Sequence, residues 1–156
     1  MTKKVNNPFD PEKNPCFGCG PQNPVGLKLR FEETADEVLT RWDPVGYFQG
    51  YHNVLHGGII ATLLDEVAAW FVQVKLGTAG VTSELHVKYL SPVHLSKGII
   101  TATAKLIDHK DTSAKLKCIL LDGDSKICAE AEVIFFVYPE PIARRKLKYP
   151  GKEAFQ

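Results

Sequence analysis

His56-Gly57-Gly58-Ile59-Ile60-Ala61-Thr62-Leu63-Leu64-Asp65-Glu66-Val67-Ala68-Ala69-Trp70-Phe71-Val72-Gln73-Val74-Lys75 is the stretch from which the fold can be read. It predicts one strong helix, opened by the Gly-Gly pair and stopped at Gly77. Its apolar residues do not keep to one stripe: Ile59, Ile60, Leu63, Leu64, Val67, Ala68, Trp70, Phe71 and Val74 go round most of the cylinder. A helix that is apolar nearly all round has to be buried nearly all round. Asp65 and Glu66 are the exceptions, and they also make this stretch a poor membrane span.

The sequence on either side supplies what such a helix packs against. Gly26 to Glu32 alternates, with Leu27, Leu29 and Phe31 on one face, and a second short strand fits Glu37 to Trp42. After Gly80 every segment reads as a strand: Glu84 to Leu90, Ile100 to Leu106, Ala114 to Leu120 and Ile127 to Val137, with a turn at Asp122-Gly123. Short polar turns between consecutive strands imply antiparallel pairing. The expected fold is therefore α+β, a hotdog arrangement in which a curled antiparallel sheet of five to six strands wraps around one long central helix. One sheet cannot enclose that helix completely, so a second copy of the chain is expected to cover the remainder. Residues 1–24 read as a loop segment, 25–138 as the hotdog domain and 139–156 as a loosely ordered basic tail.

The 156 residues suit one domain, and 19 Lys and Arg against 18 Asp and Glu leave a net charge of +1. Such a balance gives no electrostatic reason to expect nucleic acid or an anionic membrane as partner. The polar start, Met1 to Lys13, has no apolar signal segment, so a cytoplasmic location is expected. Cys16-Phe17-Gly18-Cys19 has the spacing of a metal knuckle or a redox pair, but Cys118 and Cys128 fall inside strand patterns. A tetrahedral zinc site needs two further ligands and no close pair supplies them, so reduced structural thiols and no metal are expected. His52 and His56 are four apart, yet Gly57-Gly58 and the missing third ligand argue against a metal there. No G-x-S-x-G elbow exists, which excludes a serine hydrolase of that type.

Two features carry chemistry. Asp65 stands mid-helix, on an element with almost no other place for a charge, and is expected to be buried; Glu66 is read as its solvated or ion-paired neighbour and ranks second as a catalytic group. His56-Gly57-Gly58 opens the same helix, where the first backbone N–H groups lack partners and the helix dipole is positive. A backbone N–H there can hold the charge that develops on a thioester carbonyl oxygen. Gly57 and Asp65 are about 8 residues apart, so at ~1.5 Å per residue they lie roughly 12 Å apart along the axis. Acyl transfer needs both groups at one carbonyl. Two helices lying antiparallel across a dimer would bring Gly57 of one chain to Asp65 of the other.

Leu55 to Asp65 resembles the signature of the PaaI-like (phenylacetyl-CoA thioesterase) family of hotdog proteins. Thr82-Ser83-Glu84-Leu85-His86-Val87-Lys88-Tyr89-Leu90-Ser91-Pro92 resembles the strand that follows in that family, and Asn14 to Gly20 with Asn23 to Leu27 resembles the opening of a subgroup. The resemblance implies an acyl-CoA thioesterase with Asp65 as general base or nucleophile, the Gly57 N–H as oxyanion donor, Thr82 orienting the attacking water, and His56 close to the thioester. Gly58, Gln49, His52, Asn53 and Ser83 are expected to contact substrate. The chain departs from the family at Gly50, where many relatives carry an Asn; Gln49, His52 or Asn53 would have to take its part. Coenzyme A enters as part of the substrate and no other cofactor is expected. The assembly is expected to be a homodimer or a dimer of dimers. Two alternatives share the fold: an acyl-CoA binding protein without turnover, and a hotdog hydratase or dehydratase.

Overall fold

The computed structural model describes residues 1–156. In chain order the strands are β1 (Lys3–Val5), β2 (Phe31–Glu33), β3 (Glu37–Trp42), β4 (Gly80–Tyr89), β5 (Ile100–Lys110), β6 (Ser113–Leu121) and β7 (Ile127–Val137). They form one antiparallel sheet in the order β1-β2-β3-β5-β6-β7-β4. The sheet thus has seven strands rather than five to six. Strands β5, β6 and β7 are the expected meander, while β4 precedes them in sequence and pairs beyond them, as an edge strand on β7.

Helix α1 (Gly57–Phe71) continues through one wider turn, Val72–Leu76, and stops at Gly77, whose φ of 69° few other residues adopt readily. It packs against β3, β4, β5, β6 and β7, which is the curled sheet around a helix. Leu63, Leu64, Val67 and Trp70 share one core cluster with Leu116, Leu120 and Phe135. Each such aliphatic side chain contributes about 1.5–3 kcal/mol by leaving water. Burial is not uniform round the helix. Gly58 is exposed, and Gly57, Ile59, Ala61, Thr62, Asp65, Glu66, Ala69 and Gln73 are half-buried; of these, Ala61, Thr62, Asp65, Ala69 and Gln73 continue from Gly58 as a line along α1 that this chain leaves partly open.

Three sequence expectations need correction. The run from Leu27 to Phe31 alternates in burial as expected, but the ladder begins only at Phe31, because Lys28 takes a left-handed φ of 55°. The Leu27 and Leu29 N–H groups donate instead to Phe17 and Gly18 carbonyls, at 2.8 and 2.9 Å. The first residues are not all loop, since Lys3–Val5 pairs with β2. The C-terminal segment is not loose: helix α2 (Glu140–Leu147) is followed by Tyr149 and Phe155, both buried. Phe155 packs edge-on to Trp70, with ring centroids 5.5 Å apart, and the Tyr149 hydroxyl donates to the Gln73 carbonyl at 2.8 Å. No helix is long and apolar enough to cross a membrane.

Candidate active site

The start of α1 is built by its neighbours. His56 sits at the N-cap, and its Nδ1 accepts the Gly58 N–H at 2.9 Å, which places the ring proton on Nε2. The Ile59 and Ile60 N–H groups turn back to the His56 carbonyl. The Gly57 N–H has no acceptor within the chain. Tyr89, at the end of β4, donates its hydroxyl to the Gly57 carbonyl at 2.8 Å and holds this first turn against the sheet edge. An open cleft of about 610 Å³ runs past it, lined among others by Gly50, Tyr51, His56, Gly57, Ile60 and Tyr89.

Two turns further along α1, the Thr82 hydroxyl donates to Asp65 Oδ1 at 2.7 Å. Its place on β4 is set by a bulge. Strand parity carries Leu85, Val87 and Tyr89 on the helix side, so an unbroken strand would add Ser83 to that face. The register shifts between Thr82 and Glu84, leaving Ser83 as the extra residue and turning Thr82 to Asp65. The Ser83 hydroxyl donates to the Ile134 carbonyl on β7 at 3.0 Å.

The other candidate residues are placed as follows. Gln49 Oε1 accepts the Asn53 N–H at 3.1 Å. Asn53 holds Ser96 with both ends of its amide, at 2.9 Å each, so these two side chains brace the loop before α1. His52 is exposed. Gly50 lines the cleft, and a Cβ added there would meet His56 Cα and Cδ2 at an ordinary 3.6 Å. Tyr89 was not among the residues singled out from sequence, although its place as the last residue on the helix-facing side of β4 marked it.

The two acids of α1 are both half-buried as residues, in different surroundings. Asp65 is half-buried, held by Thr82 on the side where the chain leaves the helix open. Glu66 has its carboxylate turned under the N-terminal loop: Trp70 Nε1 donates to its Oε1 at 3.2 Å and the Cys16 thiol at 3.6 Å. Burial, with the Cys16 charge as a lesser cause, pushes Glu66 up to about 7. Trp70 lies on this far side, stacked on Phe31, and not in the cleft.

The family model of the Thioesterase superfamily matches residues 52–129, half of the chain, and the chain belongs to that superfamily. An uncharacterized protein of Schizosaccharomyces pombe is 35% identical over 118 residues, covering 71% of this chain and 65% of the relative. The chain spans under two thirds of the curated relatives it matches. Among solved structures, the BH2602 protein of Bacillus halodurans, crystallised with CoA, is 25% identical with a TM-score of 0.65, covering 73% of this chain and 76% of that one. The E. coli PaaI protein from the phenylacetic acid degradation operon is 18% identical, with a TM-score of 0.65 and coverage of 73% and 82%. It shares the fold, a PaaI-like hotdog.

Proposed function

We propose that the chain is an acyl-CoA thioesterase whose active site is shared between two antiparallel copies. The observation that carries this reading is the Thr82–Asp65 hydrogen bond on the half-open side of α1, on the same helix as the unbonded Gly57 N–H. Along one helix those two groups stand roughly 12 Å apart. A second α1 laid antiparallel on the half-buried line through Ala61, Thr62, Asp65 and Ala69 would set one chain's Gly57 by the other's Asp65. It would also cover the apolar surface left around the β4 edge, where Val81, Tyr89 and Leu90 are exposed.

In this site the thioester carbonyl oxygen takes the Gly57 N–H, supported by the helix dipole, while His56 borders the cleft. Asp65 accepts a proton from a water that attacks the carbonyl carbon, or attacks that carbon itself to give an anhydride that water then opens. The C–S bond breaks as the tetrahedral intermediate collapses, and the CoA thiolate takes up the proton held by Asp65 in the first route, or one from solvent in the second, to leave as the thiol. Thr82 holds the Asp65 carboxylate in place for either route. The Bacillus halodurans protein crystallised with CoA supports a coenzyme A ester as substrate, and the largely apolar cleft supports an acyl or aryl-acyl group on it.

One observation favours a second reading, an acyl-CoA binding protein without turnover: the cleft wall at Gly50 offers no side chain, and Gln49 and Asn53 are engaged in the loop. Thiol release measured over short, medium, long and aryl acyl-CoAs separates the two. Turnover of any member supports the thioesterase. Binding of acyl-CoA with no thiol released sinks it in favour of the binder, and hydration of an enoyl-CoA without thiol release would mark a hydratase.

A further inference from the structure

The side of α1 opposite the cleft carries a second cluster of reactive side chains. Cys16 Sγ, Cys19 Sγ and a Glu66 carboxylate oxygen lie within 4.8 Å of one another. All four cysteines of the chain are free thiols. Two of the donors come from one short loop and the third from 50 residues away, so sequence spacing shows only the pair.

The loop has the shape a metal knuckle needs. Cys16 Sγ accepts the Cys19 N–H at 3.3 Å, and the Cys16 carbonyl accepts the Gly20 N–H at 2.9 Å, so the backbone folds back around the first sulfur. Such N–H···S contacts stabilise a thiolate ligand without adding a competing charge. Close approach requires glycine at position 20, against backbone, and favours it at position 18, against the Glu66 side chain. A Cβ at Gly20 would lie 2.6 Å from the Cys16 carbonyl oxygen, and one at Gly18 would lie 2.5 Å from Glu66 Cδ. The loop is thus pressed onto the helix at the one place where a carboxylate meets the sulfurs. In a tetrahedral zinc site, Zn–S near 2.3 Å and Zn–O near 2.1 Å put sulfur and oxygen about 3.6 Å apart. Cys16 Sγ and Glu66 Oε1 stand 3.6 Å apart.

We infer that Cys16, Cys19 and Glu66 form a binding site for zinc or a similar borderline-soft divalent cation, tying the N-terminal loop to the middle of α1. Two thiolates and one carboxylate select such a cation over magnesium or calcium. They leave one coordination position for water or another small donor. The ion would also offset the desolvation of the Glu66 carboxylate, giving this half-buried Glu a reason to be kept on α1. Its part is to hold α1, on which Gly57 and Asp65 are both carried, and it stands independently of the reaction assigned to them.

The test is metal content in the full chain, produced without a polyhistidine tag in zinc-supplemented medium and purified without chelator. One zinc per chain is expected by mass spectrometric metal analysis. After removal of zinc, Co2+ should give thiolate-to-cobalt charge-transfer absorption and the visible bands of a tetrahedral site. Glu66→Gln should keep the charge-transfer band and weaken cobalt binding at least about tenfold. Cys16→Ser should lose the ion, and wild-type chain stripped of zinc provides the folded control should that variant fail to fold. Wild-type chain that carries no zinc and gives no cobalt spectrum overturns the site. So does a Cys16–Cys19 disulfide found in its place in freshly purified protein, or zinc retained at full occupancy when both cysteines are replaced.

Discussion

Asp65 and Glu66 are sequence neighbours on α1, about 100° apart around its axis, and the chain treats them differently. Asp65 lies where the helix is half-covered, with one hydrogen bond from a hydroxyl on an edge strand. Glu66 lies under the N-terminal loop, between an indole N–H and a thiol. Around Asp65 the side chains are small and the sheet ends. Around Glu66 the loop, β2 and the C-terminal segment close over Trp70. A helix that is apolar nearly all round can therefore have one side finished within its own chain and another left half-covered. Chemistry belongs on the unfinished side, because substrate has to reach it.

The comparison can be broken by substitutions on each side. The largest effect is expected from Asp65→Asn, which should lower kcat for thiol release at least about a hundredfold. The Thr82 hydroxyl can still donate to the amide oxygen, so the melting temperature should hardly move. Gly57→Pro should cost about a hundredfold or more by removing an oxyanion donor. Proline is accommodated at the first helical position, and His56 at φ −60° and ψ 132° suits a residue before proline. Circular dichroism unchanged with activity lost would sharpen the contrast, whereas activity retained would remove the Gly57 N–H from the mechanism.

On the finished side the sign reverses. Phe155→Ala should destabilise the chain by about 3 kcal/mol in denaturant unfolding, since it empties the space against Trp70 and Tyr149. Its effect on thiol release should be slight. Thr82→Val, back on the open side, should lower kcat about tenfold by removing one charge-assisted hydrogen bond, with little change in KM. The smallest effect is a titration. Burial, with Glu140 and Glu153 as lesser causes, pushes the Tyr149 phenol up to about 12, against about 10 in the unfolded chain. Between those values the folded chain binds more protons than the unfolded one, so its stability is present below about pH 10 and falls as pH rises toward 12. Phenolate absorbance should show a late-ionising tyrosine that is absent in Tyr149→Phe.

Much of this was legible in the sequence. The apolar helix, its stop at Gly77, and the bounds of β3 and β7 follow from local periodicity, and the structure keeps them. What was not legible depends on contacts distant in the chain. Lys3 and Lys4 carry no strand pattern, and β1 forms only because β2 offers an edge. Tyr149 and Phe155 are separated by polar residues in a basic tail, and are buried because Trp70 and Gln73 receive them. Asp65 looked buried because the helix around it is apolar; it is half-buried like Glu66, and it is the Glu66 carboxylate that the loop at Cys16 desolvates from 50 residues away. Thr82 facing Asp65 rests on a bulge at Ser83 that alternation alone would have reversed.

The shared site is tested most directly by mixing two dead chains. Asp65→Asn and Gly57→Pro subunits are unfolded together, refolded at equal ratio and assayed for thiol release. A site built from Gly57 of one copy and Asp65 of the other predicts that mixed dimers hold one intact site in two, restoring about a quarter of wild-type activity. Activity no higher than the mean of the two parent variants, with mixed dimers shown to form, would contradict it.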